Sequence, residues 1–191
     1  MQFKSRGILW AALLLIFLLP GAVFAAEFTA DMVISSKKAQ GDMTGRVFVK
    51  GSALRQELDT PVGVQTTIIP SGAAVMYVLL PDQKKYMEFP NNQVTLDSSE
   101  NLEAKMANQG KVTKKGAETI EGYSCDVYSI VYNDKNLGES TIWVSSKLNY
   151  PLKIYSQTPQ DTAVIMYRNI RKVELDGGLF SVPPGYTKFS M

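Results

Sequence analysis

No histidine occurs among the 191 residues. That excludes Ser-His-Asp and Cys-His hydrolysis and any zinc site of the usual imidazole type. Cysteine is almost as scarce: with Cys125 alone, neither an intramolecular disulfide nor a Cys-x-x-Cys redox pair can form. The phosphate-cradling G-x-x-x-x-G-K-S/T loop and the G-x-G-x-x-G turn are both absent. Carboxylate-only chemistry of the glycosidase kind stays formally open, but no spacing in the sequence brings two acids together. The chain is therefore read as not an enzyme, with no cofactor and no metal site.

Long apolar runs are confined to one place. Cationic Lys4 and Arg6 precede an apolar stretch from Gly7 to Leu19, and Pro20-Gly21 and small residues follow, the order of parts in a secretory signal peptide. About 13 apolar residues are too few to cross a hydrocarbon core roughly 30 Å thick. Val23 and Ala25 satisfy the small-residue rule before a cut, so residues 1–25 are expected to be removed and the mature chain to begin at Ala26 or one residue later. The competing reading is a retained amino-terminal anchor. No cysteine follows the cut to carry a lipid. A periplasmic location follows, with extracellular release the lesser alternative, and no stable membrane span remains after cleavage.

Charge of either sign is also not in excess. Without Lys4 and Arg6, 18 basic residues face 18 acidic ones, which argues against nucleic acid or an anionic membrane as the main partner. The remaining 26–191 segment suits one domain with a sizeable core.

What is present is a succession of short alternating or β-branched segments punctuated by Gly, Pro, Asn and Asp, the pattern of antiparallel sheet. Phe28, Ala30, Met32 and Ile34 share one face of the first segment. Met43–Lys50 and Leu54–Asp59 follow, and in the latter Leu54, Gln56 and Leu58 alternate with a charged face expected to meet water. Val64–Ile69, Ala74–Leu80 and Lys84–Phe89 continue a meander whose separators, Pro70-Ser71-Gly72 and Pro81-Asp82-Gln83, are turn sequences. Between Asp97 and Gln109 the period changes: Ser98 or Ser99 can cap a short helix with Leu102 and Met106 on one face, and Gly110 stops it. Strands resume at Lys111–Lys115, Glu118–Glu121, Tyr123–Tyr132, Glu139–Ser145, Leu152–Gln157 and Thr162–Leu175. A sheet of about 11 strands must curl or split. The expected fold is mainly β, a curled antiparallel sheet or incomplete barrel with the short helix covering its concave face.

The succession Gly45-Arg46-Val47-Phe48-Val49-Lys50, then Leu54-Arg55, the hairpin from Ala74 to Phe89 with its Leu80-Pro81-Asp82 turn, and the closing Gly178-Leu179-Phe180-Ser181-Val182-Pro183-Pro184-Gly185-Tyr186 resemble the LolA/LolB superfamily of periplasmic lipoprotein carriers. The resemblance is closest to a less characterised branch of small secreted domains. It implies an incomplete barrel whose hydrophobic cavity, under a helical lid, receives acyl chains, and a structural role for Phe180 and Pro183-Pro184-Gly185. The family has a long helix before the first strand and an arginine after the lysine that ends the second. Here only Ala26 and Glu27 precede Phe28, and Gly51 follows Lys50.

Six of the eight methionines, Met32, Met43, Met76, Met87, Met106 and Met166, fall in expected secondary structure. Methionine suits surfaces that accept irregular apolar guests, although each could equally fill a core. With Met32, Met76, Met87, Met106 and Met166, the residues Phe28, Ile34, Leu58, Ile68, Val78, Phe89, Leu102, Trp143, Ile154 and Val164 are the candidate lining of a ligand cavity. Cys125 is preferred as a small buried side chain over a redox site. The lysine pairs Lys37-Lys38, Lys84-Lys85 and Lys114-Lys115 read as solvated turns or edge protection. The leading function is a non-enzymatic envelope protein that binds or carries an apolar ligand, a lipid or lipoprotein acyl chain. The alternative is a protein-interaction or sensory module with an envelope protein as partner, using the same fold.

Overall fold

The alternation in the first strand is realised directly: in β1 (Glu27–Ser36) Phe28, Ala30 and Met32 are buried, and the residues between them are only partly covered. The computed structural model describes residues 26–38, 41–60, 63–91 and 102–189. The expected signal peptide and the capping serines Ser98 and Ser99 lie outside the described residues. Eleven further strands follow β1: β2 (Met43–Lys50), β3 (Ala53–Thr60), β4 (Gly63–Ile69), β5 (Val75–Leu80), β6 (Lys85–Pro90), β7 (Gly110–Ile120), β8 (Tyr123–Tyr132), β9 (Glu139–Ser145), β10 (Tyr150–Gln157), β11 (Thr162–Lys172) and β12 (Thr187–Lys188). One short helix, α1 (Leu102–Met106), precedes β7.

All 12 strands join one sheet in the order β12-β6-β5-β4-β3-β2-β1-β11-β10-β9-β8-β7, which leaves β12 and β7 as edges. The sheet is not closed into a barrel. Pairing is antiparallel throughout except for the two-residue β12, which lies parallel to β6. The sequence reading divides β7 at Lys115; the structure keeps one strand, with a bulge between Lys114 and Gly116 where Gly116 takes a φ of +141°. A glycine that reads as a break is thus a bulge inside a continuous edge strand.

The register fixes which residues share a face. Tyr128, Ile142, Ile154, Ile165, Ile34 and Met43 lie directly opposite one another in a row from β8 to β2. Two residues along β1 from Ile34, Met32 pairs with Tyr167, and Ala30 begins a second row through Val47, Gln56, Thr67, Val78 and Met87. This face is concave. Gln56 on β3 donates to the Tyr167 hydroxyl on β11 at 3.3 Å, although three strand spacings separate them, about 14 Å in a flat sheet. Side chains standing off a flat sheet would stay that far apart. The rings of Phe28 on β1 and Tyr150 on β10 likewise meet at 5.4 Å over the intervening β11.

Both faces are partly covered. Leu102 and Met106 of α1 are buried against Tyr128, Ile130, Ile142 and Val144, so the helix lies on the concave face of β8 and β9, as expected from sequence. The convex face of β2 to β6 receives the C-terminal segment, where Leu175 and Phe180 pack with Ala53, Ile68 and Leu79. The charged face expected on β3 therefore meets protein as well as water. The Arg55 and Glu57 side chains are only 15% and 19% exposed and 2.8 Å apart, and Arg55 also donates to the Leu179 carbonyl.

Candidate functional site

The concave face is apolar well beyond the reach of α1. Along the β8-to-β2 row, Tyr128 and Ile142 beneath the helix are buried, whereas Ile154, Ile165, Ile34 and Met43 are only half-buried. On the other limb, Leu54 and Leu58 of β3, Met76 of β5 and Met87 and Phe89 of β6 are half-buried on the same face, and Val78 is buried among them. These side chains form an apolar surface that the described residues cover incompletely.

Of the candidate lining, the structure places Phe28, Met32, Ile34, Leu58, Met76, Val78, Met87, Phe89 and Ile154 on this face, with Leu102 and Met106 over it. Phe28, Met32 and Met106 are nearly inaccessible and belong to the packed interior. Three candidates lie on the other side, and a fourth, Trp143, is packed core. Ile68 faces the convex side beneath the C-terminal segment. Val164 and Met166 alternate with Ile165 and so point away from the concave face. Trp143 pairs with Val127 and Lys153 and is buried in one core cluster with Phe28, Met32 and Tyr167, with Lys153 4.3 Å over its ring. Its indole N–H donates to Glu118 at 2.8 Å.

Sequence reasoning did not single out the polar group set into this apolar surface. Gln56 and Tyr150 both donate to the Tyr167 hydroxyl, at 3.3 and 3.4 Å. Tyr167 is 2% exposed, while Gln56 and Tyr150 are half-buried. Burial pushes the Tyr150 phenol well above the ordinary tyrosine value and raises Tyr167 as well. The available signal was Gln56 itself, a polar residue between Leu54 and Leu58 on an otherwise apolar face.

The convex side has a different character. An open groove of about 540 Å³ is lined by Asp31, Thr44, Arg46, Glu57, Asp59 and Arg168 among others. Arg168, Asp31, Arg46 and Glu57 alternate in sign straight across β11, β1, β2 and β3. Arg46 pairs with Glu57 at 3.1 Å, and Asp31 accepts from Asn169 at 2.7 Å. Arg46 and Glu57 thus satisfy each other as a cross-strand pair, while Arg168 donates to the Met166 sulfur at 3.2 Å. Among the described residues no group of three or more His, Cys, Asp or Glu is placed to hold a metal ion. Cys125 is buried at the packed end of β8, and burial raises its thiol pKa.

The profile of a family described as Domain of unknown function (DUF4412) matches residues 28–150. The chain belongs to this family. No curated protein matches it. Among solved structures, an uncharacterized conserved protein from Thermus thermophilus is similar to this DUF4412 protein at a TM-score of 0.60 and 10% identity, over 86% of this chain and 90% of that chain. MucB, in the Pseudomonas aeruginosa MucA/MucB complex, is similar at 0.52 and 12% identity over 83% of this chain and 56% of that one, so the chain spans little more than half of MucB. At such identities the likeness is one of fold. A LolA superfamily protein from Nitrosomonas europaea is a looser match, at 0.42 and 12% identity over 82% and 90% of the two chains. The half-open sheet with a short helix on its concave face, expected from the family resemblance, is the fold observed.

Proposed function

We propose that this DUF4412 protein is a non-enzymatic, exported envelope protein that holds an apolar ligand, a lipid or lipoprotein acyl chain, on its concave face. The observation that carries the reading is the continuation of the apolar rows past α1 as half-buried Ile34, Ile154, Ile165, Leu58, Met87 and Phe89. Each methylene sheltered there contributes about 0.8 kcal/mol. The deciding experiment is native mass spectrometry of protein purified after expression of the full chain, with lipid extraction from the same sample. A reproducible co-purifying lipid names the ligand. A ligand-free protein that also ignores added phospholipid and lipopeptide overturns the proposal.

A second reading has its own support. MucB, which shares the fold, has been solved in complex with MucA, and the 11-residue β7 is an edge strand paired on one side only. An envelope protein adding a strand there would make this a protein-interaction module. Pull-down from envelope extract, abolished by proline at an outward-facing β7 position but not by changes on the concave face, distinguishes it.

A further inference from the structure

Resting on that reading of the concave face, we infer that Lys85 and Phe189 form the seat for an anionic head group at the β6 end of the apolar limb. The ligand is then an acyl chain that carries a phosphate or carboxylate.

The limb from β1 to β6 is almost without charge. Of the side chains that alternation and register bring to its concave face among the described residues, Lys85 alone is charged. The other charges on these strands, Asp31, Arg46, Lys50, Arg55, Glu57 and Glu88 among them, fall on the alternate set. Lys85 lies opposite Leu80 and shares its face with Met87. It makes no ion pair among the described residues, and its ammonium stands 5.3 Å from the centre of the Phe189 ring.

Phe189 belongs to the same mouth. β12 runs parallel to β6 with Thr187 opposite Lys85 and Lys188 opposite Tyr86, so the next residue falls on the side of Lys85 and Met87. Lys188 turns the other way and pairs with Glu88. Phe189 is 42% exposed, and it carries the apolar limb past its last long strand. Lysines at a sheet edge often guard it against pairing. Here β12 already occupies the edge beside Lys85, and the lysine is half-buried. A cation–π contact holds the ammonium in place without neutralising it, so the charge stays available to an anion. Lys85 and Met87 are two residues apart, about 7 Å along a strand. A chain in contact with Val78 and Met87 therefore brings its head within reach of the ammonium. On the opposite edge strand, Lys114 beside the Tyr128 ring is already neutralised by Asp126 at 2.8 Å, which leaves the β6 end as the place for an anion.

The test uses pairs of ligands with equal chains and different head charge. Isothermal titration at low ionic strength compares dihexanoyl phosphatidylglycerol with dihexanoyl phosphatidylcholine, and decanoate with its methyl ester. The anionic member should bind about fivefold tighter, the upper range for an ion pair that water can reach, and added salt should erode the difference. A preference confined to the phospholipid pair assigns the seat to phosphate heads, and one confined to the decanoate pair to free carboxylates. Lys85→Gln should abolish the preference and Lys85→Arg keep it. Lys135→Gln, which removes the same charge from the turn between β8 and β9, should leave it intact. Thermal melting confirms the fold of each variant, and the comparison in the native sequence stands without them. Equal binding within both pairs, or a preference that survives Lys85→Gln, overturns this inference alone. Failure of all four ligands to bind removes the lipid reading with it.

Discussion

The Lys50 ammonium lies 3.0 Å from the Glu27 carboxylate, and the two side chains hold the backbone of Leu175 between them. Glu27 accepts from the Leu175 N–H, and Lys50 donates to the Leu175 carbonyl at 2.6 Å. The start of β1 and the end of β2 thereby fix the point where the chain leaves β11 and crosses to the convex face. From there Leu175, Leu179, Phe180 and Tyr186 cover Ile68 and Leu79.

The clamp predicts an acid-sensitive contribution to stability. Glu27 is held below its ordinary pKa of 4.5, first by the Leu175 N–H and then by Lys50. A carboxylate with a depressed folded pKa contributes stability that is complete above its unfolded value and lost as pH falls through the folded one. Urea melts of the native protein should therefore weaken as pH drops from about 5 towards 3, and Glu27→Gln should flatten that part of the profile. An unchanged slope in the variant would show that the clamp adds nothing.

Close strand approach makes a second prediction. A Cβ added at Gly45 would stand 2.2 Å from the backbone carbonyl of Glu57, and backbone cannot rotate away as a side-chain tip can. Gly45→Ala should destabilise by about 1–3 kcal/mol. Denaturant midpoints read this directly, and a cost within experimental error would mean that β2 and β3 separate freely here.

Strand alternation made much of this architecture legible. Phe28, Ala30, Met32 and Ile34 state their face, and the Leu102 and Met106 pair states the helix edge. The two faces of the sheet were harder to separate, because each is covered by protein over part of its area. Ile68 beneath the C-terminal segment and Met87 on the concave limb therefore call for the same residue types. Gly116 carries the same signal whether it ends a strand or bulges within one, so β7 reads as two pieces. The Gln56, Tyr150 and Tyr167 cluster joins residues up to 111 positions apart, and it is assembled only by the curl of the sheet.

Cys125 should behave as core. It is fully buried between Tyr123 and Val127, and burial raises its pKa. Both reduce the accessible thiolate. Labelling with an aromatic disulfide reagent should be negligible in native buffer and become rapid through the urea transition. Rapid labelling of the folded protein would instead indicate an opening of β8 and β9 well below the global unfolding free energy.

The two faces should respond differently to substitution, and this separates ligand surface from core. Leu58 and Met87 are half-buried on the concave face, so a carboxylate there can reach water and leave the fold intact while placing charge where an acyl chain would lie. Leu58→Glu and Met87→Glu should each reduce lipid occupancy about tenfold or more, since even two methylenes' worth of contact, at about 0.8 kcal/mol each, amounts to that factor. Their melting temperatures should change by only a few degrees, the scale of about 1 kcal/mol. Ile68, wholly buried on the convex side, should show the opposite pattern. Ile68→Val should cost about 0.5–1.5 kcal/mol and leave the occupancy of the folded protein unchanged. Binding measured at equal folded fraction by native mass spectrometry, with melts on the same samples, reads both quantities. If the Glu variants keep their lipid while Ile68→Val loses it, the ligand surface lies under the C-terminal segment and not beside α1.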